Sequence, residues 1–188
     1  IAAAIVAEGH DVADFVIVGS GPNGASPHHE VSDRVIQGGD VVVVDIGGPV
    51  PEGYNSDSTR TYVLGEPSEA DVLATYTVLQ RAQQAAVDVV RPGVTAETVD
   101  ATARQIITDA GFGDYFIHRT GHGIGLDVHE DPYIVAGNSV ALEPGMTFSV
   151  EPGIYLPGRW GARIEDIVVV TDHGVQSLNN QPHDLVAL

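Results

Sequence analysis

Four acids and a histidine carry the strongest chemical signal in this 188-residue chain: Asp45 and Asp57, then His122, then Glu151 and Glu165. A lone Asp or Glu at the end of a strand is ordinarily a turn residue. Here the acids come in two pairs at related spacing. Gly39 precedes Asp45 by six residues and Gly145 precedes Glu151 by six, while the pairs themselves span 12 and 14 residues. Four carboxylates drawn together repel one another unless they are protonated or matched by positive charge. Arg163, two residues from Glu165, offers a single positive charge, whereas two divalent cations would balance all four acids. The chain has no cysteine, so any metal must be held by oxygen and imidazole. Such a donor set suits Mn, Co or Fe, with Zn as a further choice. Two ions about 3.5 to 4 Å apart are the usual arrangement for metal-assisted hydrolysis.

The elements that would position these residues read as two related runs. Ile1 to Glu8 has the pattern of a helix ended by Gly9, and Phe15 to Val18 that of a strand entering the loop Gly19 to Gly24. Val41 to Asp45 is a buried-strand pattern, and Thr59 to Leu64 returns beside it as the second arm of a hairpin. Ser68 with Asp71 resembles a capping box opening a helix that runs to about Val90 and stops at Arg91-Pro92-Gly93. Thr95 opens another helix, ended by Gly111. After the Gly- and His-rich segment around His122, Met146 to Val150 and Ile167 to Val170 form a second strand pair with acids at its arms. Helix, strand, loop and acid-bearing hairpin thus occur twice, and residues 1–64 and 111–170 are expected to be similar units facing one centre.

Composition narrows the partners. The chain is 43% hydrophobic, enough for one compact core. Its net charge of −18, from 26 acids against eight Arg and no Lys, argues against nucleic acid and against an anionic membrane surface. There is no initiator Met, no signal-peptide pattern and no apolar run long enough to span a bilayer, so the start reads as a cut through a longer chain. The lack of cysteine fits a reducing cytoplasm. One literal Gly-x-Gly-x-x-Gly, Gly19 to Gly24, follows a strand and has Asp45 21 residues beyond it, the spacing of a dinucleotide fingerprint. Pro22 removes a backbone N–H where phosphate would bind. Pro27, Gly38 and Gly39 leave no room for the crossover helix, so the dinucleotide reading fails on context.

Taken with their surroundings, these residues resemble a known family. Asp45-Ile46-Gly47, Asn55-Ser56-Asp57-Ser58-Thr59-Arg60-Thr61, Gly121-His122-Gly123-Ile124-Gly125, Glu151-Pro152-Gly153-Ile154-Tyr155 and Arg163-Ile164-Glu165-Asp166 together look like the pita-bread metallopeptidases, in the prolidase and aminopeptidase P branch. The resemblance implies an α+β fold of two pseudo-symmetric αβ halves around a curved, mostly antiparallel sheet. The 188 residues would be the catalytic domain, with an N-terminal domain of the longer chain missing. It implies that Asp57 and Glu165 bridge two divalent metals, Mn as first choice, with Asp45 completing one site and His122 and Glu151 the other. The implied reaction is hydrolysis of Xaa-Pro bonds in dipeptides or at the N-terminus of peptides by metal-activated hydroxide, with Glu151 as proton shuttle. His129 and His118 would donate hydrogen bonds to the oxyanion, and His28 would line the pocket. Tyr155 is assigned to the substrate pocket wall, and Arg163 either to a substrate group or to orienting the metal ligands from behind; two residues from Glu165, Arg163 would share its strand face. Tyr133 stands where some relatives carry a basic residue. His29 reads as a surface residue, and His10, His173 and His183 as solvent-facing. The partner is a small peptide, a homodimer is allowed, and the alternative is a non-catalytic peptide-binding module on the same fold.

Overall fold

A computed structural model describes residues 1–188. The chain begins with α1 (Ala2–Ala7) and β1 (Phe15–Ser20), passes through a 3-10 turn (Gly21–Ala25), and forms β2 (Val41–Pro49) and β3 (Asn55–Val63). Two long helices follow, α2 (Val72–Val89) and α3 (Ala96–Asp109). The second half contains β4 (Gly121–Gly123), β5 (Glu130–Ile134), β6 (Thr147–Val150), β7 (Gly153–Leu156), β8 (Trp160–Arg163), β9 (Asp166–Thr171), β10 (Gly174–Ser177) and β11 (Val186–Ala187).

The strands make a four-stranded sheet in the order β1-β2-β3-β11 and a five-stranded sheet in the order β10-β9-β6-β4-β5, with β7 and β8 paired separately. All neighbours are antiparallel except β11, which lies parallel to β3. Each half contains the same run, a helix followed by three antiparallel strands in sequence order: α1 with β1-β2-β3, and α3 with β4-β6-β9. Strand β5 and the β7–β8 pair are additions to the second half.

The apolar core lies on the side of the second sheet away from the acids. On α2, Val72, Tyr76, Leu79, Ala82 and Ala86 recur at the helical period, so one face is buried throughout. With Val99, Ala103 and Ile107 of α3 they pack with Phe148, Val150, Val168, Val170, Ile154 and Trp160 in one cluster. The capping box does not form. The Ser68 hydroxyl donates to the Gly39 carbonyl at 3.1 Å, and the Asp71 carboxylate pairs with Arg159 at 2.9 Å, so α2 starts at Val72 without a side-chain cap. Tertiary partners outcompete the local cap at both residues.

The Gly19 to Gly24 run has a packing role. Its 3-10 turn lies against β8, and a Cβ on Gly161 would collide with the Gly24 carbonyl. The glycines permit close backbone approach rather than phosphate binding.

A carboxylate-lined cavity at the seam of the two sheets

Strand register explains how the acids converge. In the first sheet Asp45 pairs with Thr59 and Gly47 with Asp57. Since side chains alternate, Asp45, Thr59 and Asp57 share one face. In the second sheet the ladder ends where Val150 pairs with Asp166, and Glu151 and Glu165 are the chain neighbours of that last rung. An antiparallel bridge between Thr59 and Glu165 joins the sheets, with the Glu165 amide donating to the Thr59 carbonyl at 3.1 Å. Thr59 therefore neighbours acids from both halves, and its hydroxyl donates to Glu165 Oε2 at 2.7 Å.

His122 reaches the same place because glycines flank it. A Cβ on Gly121 would collide with the Ser149 carbonyl, and one on Gly123 with the Asp131 carbonyl, so only this sequence lets β4 fit between β5 and β6. Buried Asp100 of α3 pins the approach by accepting from Thr120 N at 3.2 Å and Thr120 Oγ1 at 2.7 Å. His122 Nδ1–H donates to the Gly123 carbonyl at 3.1 Å, which aims Nε2 at Glu151 Oε1, 3.2 Å away, and Asp57 Oδ2, 3.6 Å away. The Ser149 hydroxyl accepts from the His122 amide at 3.0 Å and donates to Glu151 Oε1 at 2.9 Å.

Asp45, Asp57, His122, Glu151 and Glu165 all line one cavity of about 700 Å³. His28, His118, His129 and Arg163 share that wall, together with Asp14, Phe15, Ile17, Pro27, Arg119, Val128 and Val135. Of the histidines read as solvent-facing, His10 Nε2 bonds Ser56 Oγ at 2.7 Å and His183 Nε2 bonds Asp166 Oδ2 at 2.7 Å. Asp166 also pairs with buried Arg60 at 2.6 Å, so the segment carrying His183 is tied to the strand behind Glu165.

Three placements differ from the sequence reading. Arg163 and Glu165 do not share a strand face, because β8 ends at Arg163 and β9 begins at Asp166; they meet instead through Thr59 Oγ1, to which Arg163 Nε donates at 3.1 Å. The Arg163 guanidinium is bound to the protein throughout: to Asp45 Oδ2 at 2.5 Å, Tyr155 OH at 2.8 Å and the Pro27 carbonyl at 3.3 Å. It supports the acids rather than waiting for substrate. Tyr155 is 2% exposed and stands behind the cavity wall. His118 Nδ1–H donates to the Arg119 carbonyl at 2.7 Å, so its Nε2 accepts the Tyr155 hydroxyl at 2.9 Å. Both ring nitrogens of His118 are engaged, which leaves His129 and His28 as the cavity imidazoles with ring nitrogens free. His129 is exposed and sits edge-on to His122 with centroids 4.1 Å apart.

The electrostatics follow from this crowding. Burial, then repulsion from Asp45 and Glu151, pushes Asp57 up to about 8. Burial and the charges of Asp57, Glu151 and Asp45 raise Glu165 well above the carboxylate range. Burial also works to raise Glu151, yet the His122 hydrogen bond and the charges of His118 and Arg163 hold it down at about 2. His118 and His129 are both lowered, chiefly by desolvation. Burial works against the charge on Arg163, but the surrounding Tyr155, Asp45 and Glu151 raise it well above its ordinary value. One arginine does not neutralise the acids, and Asp57 and Glu165 keep their protons above the ordinary carboxylate range.

A divalent cation fits this donor set. Ligand atoms of Asp57, His122 and Glu165 lie within 4.8 Å of one another. Asp45 gives Oδ2 to Arg163, while its Oδ1 and Asp57 Oδ1 are buried without any hydrogen-bond partner. Buried unpaired carboxylate oxygens are costly unless something positive meets them.

Sequence reasoning missed Ser149, Thr59 and Arg119. Thr59 carried a signal: it lies two residues from Asp57 on β3 and hence on the same face.

The pattern of metallopeptidase family M24 matches residues 1–172. The probable dipeptidase PepE of Mycobacterium tuberculosis is 65% identical over 188 residues, covering 100% of this chain and 50% of that protein. Among solved structures, the dipeptidase PepE from Mycobacterium ulcerans superposes with a TM-score of 0.97 at 67% identity, over 99% of this chain and 50% of that one. The prolidase from Pyrococcus furiosus does so with a TM-score of 0.91 at 42% identity, over 95% and 52%. The chain spans about half the length of the curated relatives it matches. The two-sheet architecture is the pita-bread fold that those structures share.

Proposed function

Because this chain belongs to metallopeptidase family M24, we propose that it carries the catalytic half of an exopeptidase with two divalent metals, Mn by preference, that cleaves Xaa-Pro bonds in short peptides. The observation that carries the reading is the convergence of Asp45, Asp57, His122, Glu151 and Glu165 on one cavity, with buried carboxylate oxygens left unpartnered. Asp57 and Glu165 would be shared between the two ions, Asp45 would complete one site, and His122 with Glu151 the other.

Bound there, the ions would polarise the scissile carbonyl and lower the pKa of a water toward neutrality. The chain supplies the proton traffic and the orientation. Glu151, ionised at neutral pH and fixed by Ser149 Oγ, can take a proton from the attacking water and hand it to the leaving nitrogen. That delivery matters for an Xaa-Pro bond, whose tertiary amide nitrogen leaves poorly until protonated. His129, with desolvation holding its pKa down, presents a neutral ring N–H to the oxygen on which charge develops. Arg163 holds Asp45 from behind, and Tyr155 and His118 extend that support toward the cavity wall.

The test pairs elemental analysis with hydrolysis of Ala-Pro under Mn. Unmodified protein should take up close to two metals per chain and cleave the peptide, and Asp57→Asn should lose both properties. Retention of both would refute the ligand assignment. Metal uptake with no cleavage of any peptide would favour a binding module on the same fold.

A further inference from the structure

The two sheets meet at one rung of an antiparallel ladder, where the Glu165 amide donates to the Thr59 carbonyl at 3.1 Å. Bonded pairs in such a ladder recur at every second residue. The next rung would therefore join Asp57, two residues before Thr59, to Ile167, two residues after Glu165. A different partner takes up Ile167. Its carbonyl accepts from the Leu178 amide at 2.8 Å, and its N–H donates to Asn179 Oδ1 at 2.7 Å. With its oxygen used in this way, the Asn179 side chain turns its NH2 toward the first sheet, and Nδ2 donates to the Asp57 carbonyl at 3.0 Å. A side-chain amide thus stands in the ladder where a direct bond from Ile167 to Asp57 would close it.

The inserted amide is held from both sides. Ser177 Oγ donates to the Asn179 carbonyl at 3.2 Å, and buried Arg60 donates to the carbonyls of Gln181 at 2.9 Å and Pro182 at 3.0 Å. The same guanidinium donates to the Glu165 carbonyl at 2.7 Å. The segment around Asn179 is therefore tied to the backbone of both acids that stand at the seam. One rung between two sheets is a hinge, and a second attachment fixes the angle. Asp57 belongs to the first sheet and Glu165 follows the second, so neither sheet by itself sets the distance between them. The joint at Thr59 and the amide at Asn179 set it together, with the strands in direct contact at Thr59 and spread by the width of one amide at Asp57.

We propose that Asn179 is a positioning residue of the metal centre, a spacer whose amide fixes Asp57 relative to Glu165 so that the two acids can share a pair of ions. The proposal rests on the two-metal reading above. Asn179 is half-buried and outside the cavity wall, and it acts through the Asp57 backbone alone. Both of its polar atoms are needed: the oxygen keeps the hold on β9, and the NH2 carries that hold across to β3. Groups that orient metal ligands in this way are typically worth about 10- to 100-fold in metal affinity.

The experiment follows Mn binding by calorimetry and the electron paramagnetic resonance of the loaded protein, with metal-free Tm and Ala-Pro hydrolysis alongside, for unmodified protein, Asn179→Ala and Asn179→Asp. Unmodified protein should bind two ions that give the signal of a coupled pair. Asn179→Ala should weaken the second ion about 10- to 100-fold and replace the coupled signal by that of isolated Mn, with hydrolysis falling in step. Asn179→Asp keeps the acceptor for Ile167 but sets an oxygen against the Asp57 carbonyl, so it should lose the pair as well; it carries the comparison if the alanine variant does not fold. A lower metal-free Tm with two coupled ions retained in both variants, or both ions weakened alike with coupling intact, overturns the spacer role and leaves the two-metal reading standing. Failure of both variants to fold makes Asn179 a determinant of the fold and likewise overturns it. If unmodified protein binds a single ion and Asn179→Ala weakens that ion on the same scale, the two-metal reading fails and the positioning role stands. A single ion indifferent to Asn179 overturns both.

Discussion

Replacing Arg163 by Met should destabilise the metal-free protein far more than the metal-loaded one. The side chain is 2% exposed and holds Asp45 Oδ2 at 2.5 Å inside a cluster of four acids. Methionine keeps most of the length but removes the charge, so Asp45 loses its cation while Asp45 Oδ1 and Asp57 Oδ1 still lack partners. Breaking a buried pair in this way costs about 3 to 5 kcal/mol, because it leaves an uncompensated charge. For a domain of this size 1 kcal/mol moves Tm by about 2 to 4 °C, so the drop should be roughly 6 to 20 °C with chelator present. Saturating Mn supplies positive charge to the same carboxylates and should shrink the deficit by more than half. Differential scanning calorimetry of both proteins, with chelator and with Mn, reads this directly. A loss under about 2 °C, or an equal loss in both conditions, would show that Arg163 does not serve as the acids' resident counter-charge.

His129→Ala should keep its metals and lose about a hundredfold or more in kcat, the scale of an oxyanion donor, whereas His122→Ala should lose metal; loss of metal from the His129 variant, seen by elemental analysis, would reverse the two roles. Stability of the metal-free protein should fall between about pH 6.5 and 8. In that window native Asp57, raised to about 8, and Glu165 keep protons that an unfolded chain has released, so the native state binds more protons and rising pH removes the advantage. The lowered pKa values of His118 and His129 act in the opposite sense but only below their ordinary 6.5, so they leave this window clear. Metal binding should release protons there and tighten with pH, and a metal-free Tm that climbs from pH 6.5 to 8 would contradict the account.

The metal-site candidates were legible because the chain states them twice. The six-residue offsets from Gly39 to Asp45 and from Gly145 to Glu151 reappear as matched hairpins, each carrying an acid on the face that meets the other half. What sequence could not convey arises where strands stop or slip. Arg163 and Glu165 look like same-face neighbours at a period of two, yet the chain breaks strand between them, and a threonine from the other half brings them together. Tyr155 follows Glu151 closely, but β7 turns it behind the wall. The stacking of Arg119 on the Tyr133 ring depends on pairing of β4 with β5 across a register shift between Gly121 and Gly123, and no periodic pattern announces such a shift.

The same repeat that creates the site makes it unfavourable on its own. Each hairpin alone would carry two acids at a sheet edge where water could solvate them. Joining the halves at the Thr59–Glu165 bridge buries Asp45, Asp57 and Glu165 together, and Arg163 offsets only part of the resulting charge. Raised pKa values at Asp57 and Glu165 are the visible cost of that junction. A cation present at 100 times its Kd adds about 2.7 kcal/mol to the folded state, enough to offset much of one such perturbation. Ligand and fold are thereby linked: the geometry that suits a divalent ion for catalysis is the geometry the chain holds least comfortably without one. Variants that weaken the metal site should consequently differ from the unmodified protein less in metal-free stability than in how much stability metal adds.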